Sequence, residues 1–212
     1  MKFYWNDEVP YPIDPNKFYL IYYVGCFCPP HKSHFSIVEK FASYPNVRIL
    51  ISQYGKESRH NVPFHVSQSI WKTYLKTFSH EQQKRIVLEK LKSTMDVKRH
   101  MKNVDVIVYM KGNEENHLKQ ARTIENDHLF KSFERKFIKE RHRLIKIARK
   151  HKADVDFCLG KRNGVSATEF VKALKRNDDI EYLRTFMPDK LPLRHAKRIV
   201  RTLQKFDLKV EK

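Results

Sequence analysis

Apolar residues along the chain switch between two periods, and the switches divide it into alternating strands and helices. Residues 18–24 (Phe-Tyr-Leu-Ile-Tyr-Tyr-Val) are an unbroken apolar, β-rich run closed by Gly25, which predicts a strand buried on both faces. Beyond a Cys-Phe-Cys-Pro-Pro turn, Phe35, Val38 and Phe41 recur at helical spacing, so 31–44 predicts a helix. Residues 47–51 read as a second strand, and 66–78 as a helix with Ile70, Trp71, Tyr74 and Leu75 inward. Further strands are predicted at 85–91, 104–110 and 155–159. A long charged helical region fills 115–152, where Phe130, Phe133, Phe137, Leu144, Ile147 and Ala148 roughly keep the helical period. Ser166 and Glu169 form a Ser-x-x-Glu capping box, in which the hydroxyl caps a helix amide and the carboxylate reaches back. Helices near 167–176, 178–186 and 193–206 close the chain. Parallel strands need crossover connections, so this alternation predicts an α/β fold: a doubly wound parallel five-stranded sheet, helices on both faces, and a C-terminal helical extension.

Three prolines and several aromatics without a period mark 1–16 as an irregular N-terminal arm. The α/β domain is placed at 17–187 and a basic helical extension at 188–212. Composition then narrows the function classes. Five Gly and nine Pro exclude collagenous and low-complexity chains. No apolar run approaches the roughly 18 residues of a membrane span, and the first residues lack a signal peptide's apolar core, so a soluble cytoplasmic chain is expected. Cys26, Cys28 and Cys158 are too few to staple a secreted fold, and reduced thiols are the plain inference. With 43 Lys plus Arg against 24 Asp plus Glu, the net charge of +19 points to a polyanionic or phosphorylated partner. Nucleotide, nucleic acid and acidic surface all stay open.

The informative stretch is Val24-Gly25-Cys26-Phe27-Cys28-Pro29-Pro30-His31-Lys32-Ser33-His34, where a central strand hands over to a helix. Open α/β sheets bind nucleotides at the carboxyl ends of their strands, and the amides of such a turn offer donors to phosphate oxygens. Imidazoles three residues apart can face one phosphate, which would favour their protonated forms. A zinc reading of Cys26, Cys28, His31 and His34 is set aside because Cys-x-Cys spacing is atypical of structural zinc, and no metal site is assigned.

This stretch resembles the signature of the nucleotidyltransferase superfamily often called cytidylyltransferase-like, Gly-Gly-Thr-Phe-Asp-Pro-Pro-His-x-Gly-His. Gly25, Phe27, Pro29, Pro30, His31 and His34 match in register; Val24, Cys26, Cys28 and Ser33 depart. Val165-Ser166-Ala167-Thr168-Glu169-Phe170-Val171 looks like the second signature, Ile-Ser-Ser-Thr-x-x-Arg, with Val171 where the family has Arg, so Lys172 or Lys175 would have to supply phosphate charge. Gly112-Asn113-Glu114 is similar to the family's Gly-x-Asp, and residues 56–64 fill the loop that commonly supports the second substrate. The resemblance implies a Rossmann-like fold and transfer of a nucleoside monophosphate from ATP or CTP to a small phosphorylated acceptor, with release of pyrophosphate. It further implies His31 and His34 as catalytic residues, and Gly25, Cys26, Phe27, Gly112, Ser166, Ala167 and Thr168 as nucleotide-binding. Mg2+ would be held mainly by the nucleotide phosphates. The main choices are an adenylyltransferase of the nicotinamide mononucleotide kind and a cytidylyltransferase acting on a sugar or polyol phosphate. Val171 and Ser33 motivate the alternative: a nucleotide-fold protein, weak or inactive in catalysis, that binds nucleic acid through its basic surface.

Overall fold

The computed structural model describes residues 3–4, 12–53, 59–112, 127–160 and 165–210, and the chain divides into two compact units. The first comprises Met1–Gly25, Tyr44–Ser52 and Glu89–Arg162; the second comprises Cys26–Ser43, Gln53–Leu88 and Asn163–Lys212.

The sheet strands are β1 (Phe3–Tyr4), β2 (Tyr19–Gly25), β3 (Val47–Gln53), β4 (Ile86–Glu89), β5 (Val106–Gly112) and β6 (Asp154–Gly160), in the order β1-β6-β5-β2-β3-β4. Pairing is parallel where β2 meets β5 (Ile21 opposite Val108), where β5 meets β6 (Ile107 opposite Val155), and where β1 meets β6. Leu20, Ile21, Ile107, Val108 and Phe157 have no exposed surface, as expected of strands covered on both faces, and this is why β2 reads as a continuous apolar run. From β2 the chain runs outward one way through β3, then returns to build β5 and β6 on the other side. That reversal lies between β2 and β5. Val24 pairs with Lys111, so Gly25 and Gly112 end these neighbouring strands at the topological switch point, where open α/β sheets take their ligands. Helix α4 (Asp127–Lys150) buries Leu144, Ile147 and Ala148, and its Glu140 accepts a 2.9 Å hydrogen bond from the Tyr109 hydroxyl.

In the second unit the helices are α1 (Lys32–Ala42), α2 (Phe64–Leu75), α3 (His80–Lys84), α5 (Ala167–Lys175), α6 (Ile180–Arg184) and α7 (Leu193–Leu203). Each longer helix turns a narrow apolar stripe inward: Phe35, Val38 and Phe41 on α1; Ile70, Trp71 and Tyr74 on α2; Phe170, Val171 and Leu174 on α5; Ile199, Val200 and Leu203 on α7. Rings join the stripes, with Phe35 stacked on Phe78 at 5.1 Å and Phe170 on Phe186 at 5.2 Å. Helix α6 packs against both α5 and α7, and α2 against α7.

Several expectations need correction. Residues 3–4 of the expected irregular arm form β1, a sixth strand too short to show a period; residues 1–2 and 5–11 lie outside the described residues. Helix α3 went unforeseen although Ser79 and Gln82 carry a reciprocal capping box, Ser79 Oγ accepting from the Gln82 amide at 3.2 Å and Gln82 Oε1 from the Ser79 amide at 3.0 Å. At α5 only half of the expected box exists. Ser166 Oγ accepts from the Glu169 amide at 3.1 Å, but the Glu169 carboxylate turns to Lys172 Nζ at 3.0 Å instead of reaching back. The long charged helix is described from Asp127; residues 113–126 and 161–164 and the side chains of Phe130, Phe133 and Phe137 lie outside what is described. No helix among the described residues is long and apolar enough to cross a membrane.

Candidate functional site

The loop that follows β2 folds around three of its own carbonyls. Gln53 Nε2 donates to Cys26 O at 2.9 Å, Ser67 Oγ donates to Phe27 O, and the Tyr74 hydroxyl donates to Pro30 O at 3.2 Å. Side chains occupy these acceptors while Phe27 takes a left-handed conformation, φ 51°, unusual for a bulky residue. Its ring packs edge-on against His34 at 5.0 Å and Trp71 at 5.5 Å, which holds that conformation in place. Cys28, where the family pattern has Asp, donates its Sγ–H to Cys26 O at 3.0 Å. A hydrogen bond with the Cys26 side chain, with burial next, pushes the Cys28 thiol up, so it stays protonated. Burial likewise raises the Tyr74 phenol.

Helix α1 starts from this loop with His31 as its N-cap, in extended conformation, and His34 in its first turn. The two imidazoles lie with centroids 3.7 Å apart and planes 31° from parallel. The His31 amide N–H donates to His34 Nδ1 at 3.3 Å. With Nδ1 accepting, Nε2 is the ring nitrogen of His34 left to donate. His34 is half-buried, whereas His31 is 5% exposed, so of the pair His34 is the ring that meets solvent.

The second predicted segment comes to the same place. Ser33 Oγ donates to Val165 O at 3.2 Å, fastening the start of α1 to the residue just before Ser166, the N-cap of α5. Ser33 departs from the family's glycine, and its hydroxyl makes the link that joins the two helix starts. Lys32 N–H donates to Phe186 O at 2.7 Å, while the amides of Ser33, Ala167 and Thr168 have no acceptor among the described residues. Two helix N-termini therefore present open donors within one unit, the arrangement that attracts phosphate oxygens. The arginine position of the second signature is occupied by Val171, whose side chain is wholly inside the core. Lys172 is exposed and paired with Glu169, an ion pair that holds the ammonium only loosely.

Gly25 and Gly112 stand together at the strand ends in the first unit; Asn113 and Glu114, and residues 56–58 of the expected second-substrate loop, lie outside the described residues. Gln53 and His60 were not foreseen. Gln53 closes an apolar strand at 1% exposure, and a polar residue ending a buried strand was the available signal. His60, fully buried with φ 62°, meets Lys209 O through Nδ1 at 2.9 Å and Thr168 Oγ1 through Nε2 at 3.5 Å. Its contacts are 108 and 149 residues away, so no local pattern announces them. Among the described residues, no three His, Cys, Asp or Glu side chains are grouped to hold a metal ion.

No family model matches the sequence, and no curated protein does. Among solved structures, a Vibrio parahaemolyticus protein provisionally assigned as a nicotinate-nucleotide adenylyltransferase aligns with a TM-score of 0.53 at 12% identity, over 91% of this chain and 98% of that one. At such distance the likeness is one of fold alone, an α/β parallel sheet with helices. Thermotoga maritima TmcAL, solved with alpha-thio ATP, aligns at 13% identity over 88% of this chain and 57% of its own, with a TM-score of 0.47 that adds nothing to the assignment.

Proposed function

We propose that the chain is a nucleotidyltransferase that moves a nucleoside monophosphate from ATP or CTP to a small phosphorylated acceptor. The observation that carries this reading is the Ser33 Oγ to Val165 O bond, which holds the start of α1, with its imidazoles, beside the start of α5, with its open amides. An acceptor phosphate oxygen attacks the α-phosphorus in line; the new P–O bond forms as the bond to the β-phosphate bridging oxygen breaks, and pyrophosphate leaves. The protein's share is positioning and charge stabilisation, with no covalent intermediate on a side chain. His34 Nε2–H donates to oxygen on the reacting phosphorus, and His31 positions it through ring contact and its amide. The amides of Ser33, Ala167 and Thr168 receive the remaining phosphates, the loop at Cys26 and Phe27 adjoins the nucleoside, and Lys172 can exchange Glu169 for a phosphate.

Mg2+ is a hard cation that wants oxygen ligands, whereas the loop offers imidazoles, thiols and amides. The ion therefore belongs to the substrate, arriving on the triphosphate with its waters. None of the three cysteines forms a disulfide, which suits a reducing cytoplasmic setting. An adenylyl transfer to a pyridine mononucleotide is our first choice and a cytidylyl transfer to a sugar or polyol phosphate the second. Pyrophosphate release over a matrix of triphosphates and acceptors decides between them. One productive pair is expected, with His34→Ala slowing turnover about 10²- to 10³-fold, the range for losing one transition-state donor. Undiminished activity in His34→Ala removes the assigned mechanism.

A further inference from the structure

Helix α7 carries Arg194, Lys197, Arg198 and Arg201 on one side and buries Ala196, Ile199, Val200 and Leu203 on the other. At 3.6 residues per turn the four cations fall within about 100° of arc and span about 10 Å of the helix axis. All four are exposed, the helix contains no acidic residue, and Lys205 continues the row just past its end. Most nearby acidic groups of the second unit are committed elsewhere. Glu169 pairs with Lys172, Asp178 with Arg176, Glu181 with Arg184, and Asp189 with Lys32, while Asp179 caps α6. Asp207 is exposed beyond the helix. None of the five cations of the α7 row has a carboxylate partner within ion-pair distance among the described residues, and in a folded unit such a row repels itself without a counter-charge.

We infer that the outer face of α7 is a docking surface for a nucleic-acid backbone. The like-charged phosphates of a strand complement cations set one helical turn apart, and the three arginines of the four can each make paired hydrogen bonds to a phosphate. An anionic membrane fits less well, because an interfacial helix must insert its apolar side and here that side is packed into the protein's own core. None of these cations is among the residues assigned to the transfer reaction, so this inference stands or falls independently of it.

Its test is fluorescence anisotropy with a labelled oligonucleotide, single-stranded and annealed, across about 50 to 200 mM salt. Four phosphate contacts predict a log–log slope of about −2.8 for a single strand and −3.6 for a duplex, a roughly 50- to 150-fold loss of affinity over that range. Replacing the four cations together, Arg194→Gln, Lys197→Gln, Arg198→Gln and Arg201→Gln, is expected to remove most of the slope. The Arg→Lys version of the three arginines keeps it. A cooperative thermal transition no lower than the parent's, with pyrophosphate release at the parent's rate, shows that the variant is folded and separates this result from the catalytic one. Unchanged oligonucleotide affinity in the quadruple variant, absence of binding by the parent chain at about 50 mM salt, or preferential binding to phosphatidylserine vesicles overturns the inference.

Discussion

A single position shows how this chain keeps its α/β fold while departing from the signature it resembles. Val171 stands where the family places arginine, and it has no exposed surface. Its neighbours Phe170, Ala173 and Leu174 are buried too, so the side of α5 that follows Thr168 belongs to the core. Restoring the family residue therefore fails for a physical reason: a guanidinium here would be an unpaired charge in an apolar interior. Val171→Arg is expected to cost about 3–5 kcal/mol, the penalty for an uncompensated buried charge, and to gain no activity. The urea midpoint reads the loss. A folded Val171→Arg protein with faster pyrophosphate release would show that the residue faces the phosphates after all. The exposed neighbour behaves differently: Lys172→Ala loses only an exposed ion pair with Glu169, so its melting temperature should hold while the Michaelis constant for triphosphate rises.

Helix α2 is the element on which the loop's shape rests, since it supplies both Ser67 and Tyr74 to loop carbonyls. This gives the stability a pH signature. Below its ordinary value near 10 the Tyr74 phenol is protonated in both folded and unfolded chains, and its contribution is fully present. Above that value the unfolded chain releases the proton and the folded chain keeps it, so stability falls as pH rises. Cys28 adds the same sign of effect from about pH 9, its ordinary value. Tyr74→Phe should lower stability at neutral pH by ~1 kcal/mol through the lost bond to Pro30 O and flatten the alkaline decline. Denaturation midpoints between neutral pH and about 11 test this against the phenol's ordinary value; a slope identical to the parent's contradicts it. The dependence of the loop on α2 also marks the limit of what the sequence disclosed. Strand β2 and helix α7 were legible because each writes its burial as a local period, and the histidine loop because its matching residues are contiguous. Ser67 to Phe27 spans 40 residues and Ser33 to Val165 spans 132, and a hydroxyl partnered across such a distance leaves no periodic trace. Strand β1 and helix α3 were missed for the opposite reason: two and five residues are too few to establish a period.

At the scale of the whole molecule the net charge of +19 sets how the fold responds to salt. Two effects compete. Salt screens the exposed ion pairs, such as Lys32 with Asp189 and Lys190 with Glu39, which weakens them, but each is worth only ~0.2–1 kcal/mol to begin with. It also screens repulsion among unbalanced cations, whose separations in a folded chain are comparable with the Debye length of about 10 Å at 0.1 M. Every surplus cation repels many others, whereas each pair loses one neighbour, so relief of repulsion wins. Melting temperature should therefore rise between about 0.02 and 0.3 M sodium chloride, as the Debye length shrinks through that range. Neutralising the four α7 cations lowers the charge from +19 to +15, and because those four sit on one face with no carboxylate partner among the described residues, their removal should take away a disproportionate share of the rise. A melting temperature that falls with salt in the parent chain would mean that attractive pairs, and not the surplus charge, govern its stability, and the α7 row would then lose its claim to be an uncompensated surface.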